Sequence, residues 1–252
     1  MKNAVRLYIP AGRIRANTQS ILFSQKERHY LVSVMRIKEG EPFCVFDGEG
    51  NEYAAAFKKT LNKKEDDASA IILSHKFTPP DEKTRIALAL CLIKGEKMDM
   101  VFQKATELGV SEIIPVVSER TIPRVRTAAW EQRKTRYAAI VKEASEQCGR
   151  ATLPRIHDMT EIEAFAKTAA KYDLALFLNE RERQQPLKEI LQARLDVVSV
   201  ILLAGPEGGF TDGEEKTLME SGFVSVSLGE NILRSETACL YGLSVLSYEL
   251  KG

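Results

Sequence analysis

The chain has 252 residues, 44% of them hydrophobic and 28% charged, with a formal net charge of +1. That composition is ordinary for a globular protein and leaves room for one large domain or two modest ones. No apolar run approaches the roughly 20 residues of a membrane span, and the opening MKNAVRLYIPAGRIR lacks the apolar core of a signal peptide.

The first seventy-odd residues read as β-rich. VRLYI, EPFCVFDG and ASAIILSHKF are strand-like, and DGEG between the apolar runs FCVF and EYAAAF predicts a hairpin turn. Ser24 is placed to cap a short helix, SQKERHYLVSVMR. Several short strands with one small helix suggest a compact barrel over residues 1–76. FTPPDEKT, residues 77–84, then reads as a short stiff linker, because adjacent prolines cannot continue a central strand.

From residue 85 to 252 strands and helices alternate. RIALALCLI has the unbroken apolar character of a strand buried on both faces. Next come a helix over EKMDMVFQKATEL ending near Gly109, the strand EIIPVVS, and a long helix, TAAWEQRKTRYAAIVKEASEQC, before Gly149. PRIHD, TEIEAFAKTAA, DLALFLN, PLKEILQA, VVSVILLA, TDGEEKTLMES and FVSVSLG continue the rhythm, and SETACLYGLSVLSYEL closes it. The pattern predicts an α/β domain with a mostly parallel sheet.

Cys44, Cys91, Cys148 and Cys239 lie far apart and the three histidines are scattered. The spacing offers neither a zinc signature nor a disulfide framework, so no metal is expected and a reducing cytoplasm is the simplest setting. Between Arg120 and Arg136 six basic residues (Arg120, Arg124, Arg126, Arg133, Lys134 and Arg136) stand against one acid, Glu131. Such an excess can serve nucleic-acid phosphates, or be a solvated face.

Ligands of open α/β sheets sit beyond the carboxyl ends of strands, and two loops hold such positions. The first is LAGPEGGF, Leu203 to Phe210. Gly205, Gly208 and Gly209 allow close backbone approach, and Thr211 with Glu214 has capping-box spacing. No Gly-Lys-Ser/Thr follows, and Glu207 disfavours a polyphosphate but tolerates a cation such as a sulfonium. The second is LGENILRSETA, residues 228–238. There Ser235 is a candidate N-cap and Glu236 suits a first helical turn. Arg234, just before that cap, is suited to a phosphate or an electron-rich base edge.

LAGPEGGF with LGENILRSETA resembles the signature of the knotted (SPOUT-type) methyltransferases. More narrowly it resembles the RsmE family, which methylates N3 of one uridine near the 3′ end of small-subunit (16S) ribosomal RNA. RLYIP, KGEKMDMVFQKATELGV, the SER at 118–120 and EQCGR at 146–150 extend the likeness over nearly the whole chain; Asn231 departs from the arginine expected there.

The resemblance implies a C-terminal trefoil-knot domain, a PUA-like RNA-binding barrel before it, and a homodimer with each pocket near the subunit interface. It also implies S-adenosylmethionine as cofactor and ribosomal RNA, free or in the assembled subunit, as partner. Cofactor contacts are expected from Leu203, Gly205, Gly208, Gly209, Leu228, Ile232, Leu233 and Ala238. Arg234 is expected to stabilise charge on the uracil and Glu236 to accept its N3 proton, with Lys94, Arg120, Arg124, Arg126, Arg13 and Arg15 toward the RNA. Lys58, Lys59, Lys63 and Lys64 suit phosphates too, while Glu146 and Arg150 suit the site or a dimer contact. The alternatives are a knotted methyltransferase for another nucleotide and a non-enzymatic RNA-binding or assembly protein.

Overall fold

A computed structural model describes residues 5–58, 69–79, 84–122, 127–194 and 196–251. The chain divides into two compact units, Met1–Pro80 with Ser145–Leu153, and Asp81–Ala144 with Pro154–Gly252.

The first unit holds a six-stranded sheet of β1 (Arg6–Tyr8), β2 (Ile14–Arg15), β3 (Ser20–Leu22), β4 (Pro42–Phe46), β5 (Asn51–Lys58) and β6 (Ser69–Phe77), ordered β1-β4-β5-β6-β3-β2. Its pairs are antiparallel apart from β1 on β4. DGEG closes the β4–β5 hairpin. The Asp47 carboxylate accepts the Glu49 and Asn51 N–H groups at 2.8 and 3.1 Å. Gly48 and Gly50 take φ of +82° and +105°, where a Cβ is strained. Ser24 and Glu27 form a capping box on α1 (Gln25–His29). The helix expected to run on to Arg36 widens instead into a π-type turn over Tyr30–Val34, with only Leu31 of that turn buried in the core beside Leu7, Ile21 and Val45.

EQCGR contributes to this unit. Glu146 Oε1 accepts the Tyr8 N–H at 2.9 Å, and the Arg150 carbonyl accepts from Arg6 at 3.3 Å. Both contacts anchor β1 of the first unit.

The second unit is built on β7 (Arg85–Cys91), β8 (Glu112–Val117), β9 (Arg155–Ile156), β10 (Thr160–Glu161), β11 (Leu174–Leu178), β12 (Ser199–Ala204) and β13 (Val224–Val226). The order is β10-β8-β7-β12-β11-β13, with β9 also on β8, and every one of these pairs is parallel. The helices that follow α1 are α2 (Gly95–Glu107), α3 (Thr127–Cys148, counted with the first unit from Ser145), α4 (Ile162–Ala166), α5 (Leu187–Gln192), α6 (Asp212–Glu220) and α7 (Ser235–Lys251). β12 lies between β7 and β11 and is buried along its length, which explains the apolar run that precedes the glycine turn. Ile201 and Leu203 pack in a core with Phe165, Phe177 and Leu218.

Met98, Val101, Phe102 and Ala105 are the buried face of α2. That helix ends with Val110 N–H on the Ala105 carbonyl and Gly109 N–H on that of Thr106, with Gly109 at φ +83°, the paired bonds of a Schellman motif. Phe223 and Gly222 repeat the pattern on α6, bonding Leu218 and Met219. No helix among the described residues is long and apolar enough to cross a membrane.

Candidate active site

In an all-parallel sheet the carboxyl ends of all strands lie along one edge. The segments that follow β7, β11, β12 and β13 therefore meet there, around a cleft of about 640 Å³. That volume is in the range of small-molecule and cofactor sites.

The glycine turn forms one wall. It is closed by the Gly209 N–H on the Pro206 carbonyl at 3.0 Å. The glycines serve different ends. A Cβ on Gly205 would stand 2.9 and 3.0 Å from two atoms of the Phe210 ring, and Gly209 takes φ +67°. Phe210 cannot yield easily, because it is 4% exposed and packs edge-on against Phe177. Gly208 differs: a Cβ there would meet Arg120 side-chain carbons at 3.4 and 3.6 Å, in ordinary contact. The fold itself does not demand glycine at 208. Thr211 and Glu214 form the expected capping box on α6, and Glu214 Oε1 also accepts the Glu119 N–H at 2.8 Å.

Two arginines hold this turn from outside. Arg120 donates to the Gly208 and Phe210 carbonyls at 3.0 and 3.4 Å. Arg181 pairs with Asp212 at 2.6 Å and with Glu215, both on α6. The loop carrying it, Asn179 to Arg181, lines the cleft beyond β11. Sequence reading passed over this loop because it has no glycine and no motif, and only strand order places it beside the glycine turn.

The loop after β13 forms the opposite wall. Ile232 is 72% exposed there, an apolar side chain with little protein to cover it. The Arg234 carbonyl accepts the Ala238 N–H at 2.8 Å, so Arg234 itself occupies the N-cap position of α7. Ser235, expected as that cap, is the first helical residue, and its hydroxyl donates to the Gly205 carbonyl at 2.6 Å. This bond ties the two signature loops together.

Lys97, in the first turn of α2, reaches Glu207 at 2.7 Å and Glu236 at 3.2 Å. Its hydrogen bond holds the Glu207 carboxyl below the usual carboxylate range, with Lys94 and Arg234 adding to the effect. Glu236 is 8% exposed and does not line the cleft. It stands behind Lys97, which does. Nothing in the spacing of KGEKMDM marked Lys97, since a lysine near a helix start is usually a surface charge.

Of the residues expected to hold a cofactor, Gly205, Gly209, Leu228, Ile232, Leu233 and Ala238 line the cleft, together with Lys94, Arg120 and Arg234. Leu203 does not. Its backbone pairs with β7 and β11 and its side chain is fully buried, so it supports the turn from the core. Gly208 contributes the carbonyl that Arg120 grips. Arg13 and Arg15 belong to the first unit, where Arg13 is held by Glu27 at 2.6 and 2.8 Å and Arg15 is exposed. Lys58 is exposed there too, whereas Arg124, Arg126, Lys59, Lys63 and Lys64 lie outside the described residues.

A parallel sheet with a glycine turn and a second, arginine-bearing loop tied across a cleft at its carboxyl edge defines a cofactor-binding α/β enzyme. Known proteins agree. Residues 80–247 match the family described as RNA methyltransferase domain, and residues 23–65 match that described as RNA methyltransferase PUA domain. The chain is 30% identical to Ribosomal RNA small subunit methyltransferase E of Rickettsia conorii, over 95% of this chain and 93% of that one. The Bacillus subtilis protein of the same name is 29% identical over 89% and 88%. The crystal structure of that enzyme from Neisseria gonorrhoeae, bound to S-adenosyl methionine, superposes with a TM-score of 0.84 at 31% identity, covering 98% of each chain. This chain belongs to the ribosomal RNA small subunit methyltransferase E family.

Proposed function

We propose that this protein transfers the methyl group of S-adenosylmethionine to N3 of one uridine near the 3′ end of small-subunit ribosomal RNA. The observation that carries the reading is the single cleft made by both signature loops, with Ser235 bonded to Gly205 across it. The lining fits such a cofactor: bare backbone at Gly205 and Gly209, an uncovered Ile232, and a carboxylate at Glu207 able to face a cation. The cofactor supplies an electrophilic methyl carbon on a sulfonium.

The protein's part is to bind, orient and stabilise charge. Uracil N3 carries a proton and is paired in a duplex, so the target nucleotide must be single-stranded or extruded. Negative charge develops on the uracil oxygens as that proton passes to water, and a preorganised cation lowers its energy most. Arg234, at the cleft-side start of α7, is assigned this task. Lys94 and Arg120 line the same cleft, with Arg120 engaged to the glycine turn. Glu236, expected from the motif to accept the N3 proton, is 8% exposed and pairs with the cleft-lining Lys97 at 3.2 Å, so that proton is assigned to solvent water in the cleft.

The trefoil knot and the homodimer belong to the same reading. Tyr241 and Tyr248, seven residues apart on α7, are 48% and 79% exposed, an apolar stripe suited to a second copy. RNA binding by the first unit completes it.

The test is mass spectrometry of ribosomal RNA from cells lacking the protein. N3-methyluridine should disappear and return with the wild-type gene, whereas its persistence at full level eliminates the assignment. Arg234→Ala should leave cofactor affinity within a few-fold while activity drops at least about tenfold. Equal losses in both would reassign Arg234 to cofactor binding.

A further inference from the structure

Three charged side chains from three separate elements meet at one edge of the cleft. Lys97 comes from α2, Glu207 from the glycine turn and Glu236 from the first turn of α7. The two carboxylates differ in setting. The Glu207 side chain is 36% exposed and lines the cleft. Glu236 is buried, and its Oε2 has no hydrogen-bond partner among the described residues while Oε1 holds Lys97 at 3.2 Å.

Stability does not account for this arrangement. An exposed lysine–glutamate pair contributes little, and a buried carboxylate oxygen without a partner is a cost. The arrangement makes sense if the lysine must be held in place. A lysine is a point charge on a flexible stem, and ordering it takes an anchor. Glu236 is that anchor, and the forward-facing partner is Glu207. Arg120 meanwhile fixes the backbone of the same turn through the Gly208 carbonyl. Backbone and side chain of the turn are thus held separately, from two sides.

We propose that Lys97 is a positioning residue: anchored by Glu236, it holds the Glu207 carboxylate over the cleft to face the positive sulfonium of the bound cofactor. The inference rests on the methyl-transfer reading and adds to it how the charged cofactor is told from its neutral product. S-adenosylhomocysteine lacks the methyl group and with it the sulfonium charge, so the change that a charge-altering substitution makes in the ratio of the two affinities reports the electrostatic contribution.

Isothermal titration of the full-length protein with both compounds provides the test. Wild type should bind S-adenosylmethionine more tightly than S-adenosylhomocysteine. Glu207→Gln, Lys97→Met and Glu236→Gln should each reduce that preference by about tenfold, chiefly by weakening S-adenosylmethionine. The Lys97→Met/Glu207→Gln double variant should be no worse than either single one, since both act through one carboxylate. Lys97→Arg should restore most of the preference. A preference that stays at or above the wild-type value in Lys97→Met overturns the proposal, and so do additive losses in the double variant. Should Lys97→Met fail to fold, Lys97→Arg and Glu207→Gln decide alone: an unchanged preference in Glu207→Gln, or its full loss in Lys97→Arg, is equally fatal. Failure of the wild type to bind either compound would instead remove the methyltransferase reading itself.

Discussion

Gly205 and Gly208 sit three residues apart in one turn and should respond oppositely to a single methyl group. Gly205→Ala places Cβ about 2.9 Å from a ring that is 4% exposed. Overpacking of this kind costs about 1–3 kcal/mol, so the apparent Tm of the free protein should fall by several degrees. Gly208→Ala meets only ordinary contacts, so its Tm should stay near wild type and any loss should fall on cofactor affinity. Differential scanning fluorimetry and titration separate the two, and a large Tm loss at 208 would refute this account of the turn. At this scale the sequence marked the glycines as a group but not their separate reasons. Which glycine lies against Phe210 and which takes a left-handed φ depends on the path of the loop. Lys97 and Arg181 were invisible for the same cause, because their partners lie 110 and more than 30 positions away.

At the scale of elements, the local chemistry of helix ends was readable and largely decisive. Ser24 with Glu27 and Thr211 with Glu214 both form capping boxes, and Gly109 and Gly222 both terminate helices in paired backbone bonds. These signals depend on neighbours three or four residues apart, which the backbone brings together whatever the tertiary structure. Ser235 is the exception, since its hydroxyl is used on Gly205, thirty positions away. Glu214 exceeds its local role as well. It caps α6 and also accepts the Glu119 N–H while 6% exposed. Glu214→Ala should therefore cost about 2 kcal/mol or more, above a cap alone, because it also orphans a donor on the segment carrying Arg120. Urea denaturation would show it, and a loss under about 0.5 kcal/mol would contradict the second role.

For the whole molecule, two interactions have global readouts. S-adenosylmethionine at about one hundred times its Kd should stabilise the folded protein by about 2.7 kcal/mol through mass action. A thermal scan with and without it should show a rise in Tm, and S-adenosylhomocysteine should give a smaller one. The exposed Tyr241 and Tyr248 of α7 carry the second. If that stripe covers a second copy, Tyr248→Glu should shift the protein from dimer to monomer in sedimentation equilibrium. A dimer unaffected by that change would place the interface elsewhere. Within the second unit, Gly242 lets α7 pack on β12, since a Cβ there would stand 2.8 Å from a Leu202 methyl. Gly242→Val should destabilise globally and not at the cleft alone.

The strand-and-helix rhythm, the hairpin at DGEG, the Ser24 cap, the Thr211–Glu214 capping box and the two loops that make the cleft were all legible in the sequence. All of these rest on periodicity or on contacts within a few residues, which chain geometry alone supplies. The strand order that sets the loop after β11 beside the glycine turn came from the folded chain alone. It also turned Leu203 into the core, placed Glu236 behind the cleft with Lys97 in front, and assigned Ser145–Leu153 to the first unit. These outcomes depend on which distant segments share a sheet edge, and the choice of a partner far along the chain leaves no local pattern in either segment.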